Sequence, residues 1–147
     1  MGKRLSGEVI HFINDFCPKT LGRITFIGHS LGGVIIRSAL PYLSDYKDKM
    51  YTFFTLSSPH LGYMYNSNIV INAGIYVLQK MRKSLCLTQL SMTDATNFKD
   101  TFLFKLTQAP GLNWFQNIGL VSSFQDSYVP FESARILKVK EAQYDAM

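Results

Sequence analysis

The residues best suited to chemistry in this chain are Gly28-His29-Ser30-Leu31-Gly32, a serine with a glycine two positions to each side. A serine hydroxyl is a weak nucleophile until a base takes its proton. It must therefore stand where both base and substrate can reach it. A very tight turn between a strand and a helix does this, projecting the hydroxyl above the strand ends. Gly28 and Gly32 are expected to remove side chains that would collide with the neighbouring strand and helix. Gly33 is expected to permit further close packing. The Leu31 N–H, at the helix start, is expected to point at an oxyanion developing on the substrate.

Such a serine needs a base, and the base needs an orienting carboxylate. Asp126 is the best acid, in the loop Phe124-Gln125-Asp126-Ser127-Tyr128-Val129-Pro130 that follows an apolar strand. Loops at the C-terminal ends of parallel strands are where ligand-facing groups gather. The competing role for Asp126 is to cap the turn before Val129-Pro130 or the next helix. Asp94 and Asp100 are weaker acids, set among short helical segments. The histidines are His11, His29 and His60, and none follows Asp126. His11 lies on a helix ahead of the serine and reads as a surface residue. His29 is aimed away from the hydroxyl by the turn itself. His60, after the second strand, leaves three roles open: base, packing, or substrate contact.

The elements that must position these groups are legible from periodicity. Leu5, Val9, Phe12, Ile13 and Phe16 form a helical stripe, expected to be buried, on a helix that Pro18 ends. Residues 23–27 predict a buried strand leading into the serine turn, and a helix follows Ser30 to about residues 43–45. Residues 50–56 predict a second buried strand and residues 117–122 a third. Residues 68–82 predict a helix placed as a cap. Residues 85–92 and 98–106 predict short helices, and another begins near Phe131. Alternating strands and helices predict an α/β fold, with parallel strands joined by crossover helices.

Bulk composition narrows the classes. The chain has 147 residues, 47% of them hydrophobic and 17% charged, which excludes a disordered chain and suits one domain. The net charge of +5 comes from scattered Lys and Arg, so nucleic acid is not an expected partner. Cys17 and Cys86 form no metal-ligand spacing, so neither metal nor cofactor is expected. No apolar run reaches membrane-spanning length and no signal peptide is evident, so the expected location is cytoplasmic. Met1-Gly2 with Ser6 matches the loose N-myristoylation pattern, which makes a membrane surface the weakest of the candidate partners.

Four strings carry a resemblance. They are Gly28-His29-Ser30-Leu31-Gly32-Gly33-Val34-Ile35-Ile36-Arg37, Leu56-Ser57-Ser58-Pro59-His60-Leu61-Gly62, Thr101-Phe102-Leu103-Phe104-Lys105-Leu106, and Gln125-Asp126-Ser127-Tyr128-Val129-Pro130 with Ser133-Ala134-Arg135-Ile136. In this order they resemble the lipase-like serine esterase domain of the α/β-hydrolase superfamily. The likeness is closest to the eukaryotic proteins called "family with sequence similarity 135". The resemblance implies a carboxylic ester hydrolase with a link to lipid metabolism. It places Ser30 as nucleophile, Asp126 as acid and His60 on the substrate side. It puts the family's catalytic histidine further downstream and its oxyanion loop further upstream. Residues 1–147 then read as the central part of one such domain, a partial fold lacking the N-terminal strands and the C-terminal histidine-bearing segment. The expected ligand is an ester or lipid-like substrate, and self-association of the chain is expected. The alternative is a non-catalytic hydrolase-like module that binds an acyl ligand or a protein partner.

Overall fold

The computed structural model describes residues 1–63 and 85–138. The helix expected over residues 68–82 lies outside them. Helix α1 (Gly2–Phe16) leads to strand β1 (Ile24–His29), helix α2 (Leu31–Ala39), a 3-10 stretch over Leu40–Lys49 and strand β2 (Met50–Leu56). After residue 84 come α3 (Leu85–Leu90), α4 (Phe102–Gln108), strand β3 (Asn117–Val121) and α5 (Phe131–Arg135). Both strand pairs are parallel, in the order β1-β2-β3. This is the α/β arrangement the sequence predicts, with each strand close to its expected bounds.

The helix after Ser30 ends earlier than its periodicity suggests. Pro41 has no N–H to donate to the Arg37 carbonyl, so the α-ladder stops and a 3-10 stretch takes over, kinked at Leu43. The helix is also more enclosed than one apolar face implies. Val34 joins a cluster with Leu90, Leu103 and Leu106, while Ile36 and Leu40 join another with Ile13, Ile24, Met50, Phe53 and Phe115. Thus α2 is wedged between two cores, and Ala39, Leu40, Leu43 and Phe53 are almost wholly buried.

The expected buried stripe on α1 holds only in part. Ile13 is buried and Leu5 and Val9 pack against the larger core. Phe12 and Phe16 are instead exposed, their rings 4.8 Å apart, beside an open groove of about 730 Å³ along β1. The N-terminal end of α1 is tightly seated. A Cβ on Gly2 would overlap Ser38, so the glycine of the myristoylation pattern is buried against α2.

Strand register shows how the sheet is covered. Phe26 pairs with Phe53, and Gly28 with Thr55 and Leu120, on the face that α1 and α2 cover. Ile27 pairs with Phe54, and His29 with Leu56 and Val121, on the other face. There Ile27 is 69% exposed, and Leu56 and Val121 are exposed as well. Parallel sheets in globular proteins are normally covered on both faces. Among the described residues this one is covered on one.

An apolar sheet face open to water drives association. Purified chain should therefore sediment as dimers or larger species at micromolar concentration, and Ile27→Lys should lower the average mass. A wild-type chain sedimenting as a monomer across that range would show that the face is not sticky.

Candidate active site

Ser30 occupies the one residue between the end of β1 and the start of α2, with φ 51° and ψ −126°. Positive φ is unfavourable for a residue with a Cβ and persists only where the surroundings enforce it. They do so here. The Ser30 N–H donates to the Leu56 carbonyl at 2.9 Å, and the Gly33 N–H reaches back to the Ser30 carbonyl at 3.4 Å. The Ser30 side chain makes no capping bond to α2. Leu31 opens the helix, so its N–H belongs to the first-turn donors that have no partner within the helix.

The glycines divide their work differently from the sequence reading. A Cβ on Gly28 would sit 2.7 Å from the Gly33 nitrogen, so Gly28 allows α2 to lie directly on β1. A Cβ on Gly33 would meet Ser58 Oγ at 2.5 Å and Thr55 Cγ2 at 2.8 Å. Gly32 faces open space, so Gly33 and not Gly32 makes the second close approach.

Asp126 follows β3, two strands from Ser30 and at the same C-terminal edge of the sheet. Its Oδ1 accepts the N–H of Tyr128 at 2.9 Å and of Val129 at 3.0 Å. The turn-capping role weighed from sequence is therefore present. Partial burial alone would raise the Asp126 carboxyl. The Ser57 hydroxyl, the Val129 and Tyr128 N–H groups and nearby His29 outweigh it and hold the group below the usual carboxylate range. Ser57, itself at φ 46°, stands between the two sites at the end of β2. Tyr63 is pushed up by burial and by Asp126. The two weaker acids lie elsewhere: Asp94 accepts the Phe102 N–H at 2.9 Å, and Asp100 pairs with Lys105 at 3.4 Å.

The histidine expected on the substrate side lies in the interior. His60 is fully buried. Its Nε2 lies 3.0 Å from Thr55 Oγ1, and its carbonyl accepts Arg37 Nη1 at 3.0 Å. Burial, with the Arg37 charge beside it, lowers its pKa to about 3. Such an imidazole is neutral at physiological pH and enclosed, so it does not meet solvent. Of the other two, His11 sits 3.2 Å from Asp15 on the exposed side of α1, and His29 is exposed on the bare sheet face.

Sequence reasoning missed Arg37 as a structural group. It is 6% exposed, and burial lowers its pKa to about 10, which leaves it charged at neutral pH. The available signal was its place one turn beyond Gly33, on the same row of α2.

A strained serine between a parallel strand and a helix, with a carboxylate two strands away at the same sheet edge, is an α/β arrangement consistent with a hydrolase-like fold. The family described as "Putative serine esterase (DUF676)" matches residues 1–138, and the chain belongs to it. No solved structure matches the chain. Among the described residues no helix is long and apolar enough to cross a membrane, and no cluster of His, Cys, Asp or Glu could hold a metal ion.

Two measurements test this geometry. Gly33→Ala should cost ~2 kcal/mol by overpacking against Ser58 and Thr55, whereas Gly32→Ala should be neutral or stabilising by up to ~1 kcal/mol through helix propensity. Equilibrium denaturation decides, and equal losses would contradict the assigned contacts. The second test is pH. The folded His60 pKa of about 3 lies below the ordinary 6.5, so the unfolded chain binds more protons between these values. Its contribution is fully present above pH 6.5 and is lost as pH falls through that window, with a ceiling of ~5 kcal/mol. His60→Gln should flatten the stability–pH slope there, and an unchanged slope would show that His60 titrates normally.

Proposed function

We infer that this chain carries the nucleophile of a carboxylic ester hydrolase, with Ser30 as the attacking group and Asp126 as the acid. The observation that carries the reading is the enforced positive-φ turn that presents an uncapped Ser30 hydroxyl at the start of α2. In the reaction Ser30 Oγ bonds to the ester carbonyl carbon while a base takes its proton. The carbonyl oxygen gains the negative charge and the Leu31 N–H receives it. The alcohol leaves with the proton returned by the base, and water then releases the acid from the acyl-serine. An imidazole oriented by Asp126 is the base this scheme calls for.

Among the described residues no hydrogen bond joins Ser30 or Asp126 to His11, His29 or His60, so this reading calls for an imidazole that these contacts do not supply. A groove of about 380 Å³ reaches Leu31, the residue after Ser30, and its apolar lining (Val34, Ile35, Phe102), alongside the polar Lys3 and Gln89, supports an apolar, lipid-like acyl group. Kinship with the family-135 proteins and a cytoplasmic setting, suited to the free Cys17 and Cys86, belong to the same reading.

The buried His60 also favours a second reading, in which the domain binds an acyl ligand or a protein partner without turning it over. Ester turnover separates the two. Loss of a triad histidine costs on the order of 10⁶ in kcat, so the isolated chain should hydrolyse p-nitrophenyl esters barely above background. Added imidazole should raise that rate, and Ser30→Ala should abolish the gain. A rate indifferent to both Ser30→Ala and imidazole would leave only the binding module.

A further inference from the structure

The geometry points to Arg37 and Ser133 as positioning residues that clamp the Ser58–Leu61 segment from opposite sides and make the Ser30 turn and the Asp126 loop move as one unit. The importance of that unit for chemistry rests on the reading of Ser30 and Asp126 as nucleophile and acid.

On the nucleophile side the link runs through α2. Arg37 lies about two turns along the helix from Ser30. Its Nη1 donates to the His60 carbonyl at 3.0 Å and its Nη2 to the Leu106 carbonyl of α4 at 3.5 Å. Among the described residues no carboxylate forms an ion pair with it. Taking a guanidinium out of water without a counter-ion is costly, and carbonyl oxygens offset only part of that. What the arrangement secures is direction. The planar fork ties α2 to the segment after β2 and to α4 together.

On the acid side the next residue is held. The Leu61 N–H donates to Ser133 Oγ at 3.1 Å, and Ser133 is 4% exposed on α5. That helix follows directly on the Asp126 loop, whose Val129 is buried and donates its N–H to Asp126 Oδ1. The two clamps thus act on adjacent residues, 60 and 61. Between them the segment is anchored to the sheet by His60 against Thr55 and to α2 by Ser58 against Gly33. The linkage is in series, so breaking either clamp should free both sides.

The test uses the full chain with Arg37→Lys, Ser133→Ala and the double variant. Amide hydrogen exchange, which needs no activity, is read at Ser30 on one side and at Tyr128 and Val129 on the other. Labelling of Ser30 by a fluorophosphonate, with imidazole added as base, is the second readout. Ser133→Ala should speed exchange at Ser30, and Arg37→Lys at Tyr128 and Val129, each by about tenfold, as expected for local opening. Each variant should slow labelling, and the double variant should be no slower than the worse single one although the losses in Tm add. Variants that loosen only their own side, or labelling losses that multiply, would overturn the coupling. If Arg37→Lys does not fold, the Ser30 exchange rate in Ser133→Ala decides alone. A wild-type chain that never labels at Ser30 counts against the ester-hydrolase reading, and exchange still judges the clamp.

Discussion

Everything at the candidate site depends on how closely the backbone of α2 approaches the sheet. Gly28 and Gly33 face each other at distances no Cβ could share, and Gly33 also rests on Thr55 and Ser58. This contact forces the chain to reverse within a single residue, and Ser30 is that residue. Its unfavourable backbone angles cost on the order of 1–3 kcal/mol. Two backbone hydrogen bonds and the burial of Val34 and Ile36 just beyond them outweigh the cost. The place of Ser30 at this turn is thus a by-product of packing, as the strain sits where the close approach requires it.

Polar groups fall into two populations, and solvation separates them. Thr55, Ser58, His60 and Arg37 are buried. There desolvation dominates, pushing His60 far down and lowering even Arg37. These groups hold elements in place. Asp126 and His29 stand at the C-terminal edge of the sheet, where the Ser57 hydroxyl and backbone N–H groups keep a carboxylate ionised. A histidine four residues beyond a strand thus proves to be a strut, while an aspartate five residues beyond another stays available.

The sheet is uneven in the same way. One face packs against α1 and α2, while the other presents Ile27, Leu56 and Val121 to solvent. Phe54 is only half-exposed because its ring lies over Gly119, which has no side chain to oppose it. Among the described residues, local pairing of strands therefore proceeds without both faces being covered.

By itself the sequence determined the three strands, the helix after Ser30, the α/β class and the positions of Ser30 and Asp126. Those features rest on local periodicity and on a short glycine spacing, which a linear reading can detect. Only the tertiary structure decided that Gly33 and not Gly32 is the second contact. It also decided that Phe12 and Phe16 stay exposed, that Arg37 is buried, and that His60 is sealed inside. Each of these depends on which neighbour occupies the space beside a residue: Ser58 for Gly33 and the His60 carbonyl for Arg37, both from a distant part of the chain, and for the imidazole Thr55 and Phe53, from the strand just before it. Burial sets the cost of charge, and burial is a property of the assembled fold, so the chemical state of His60 could not be read from its place in the sequence.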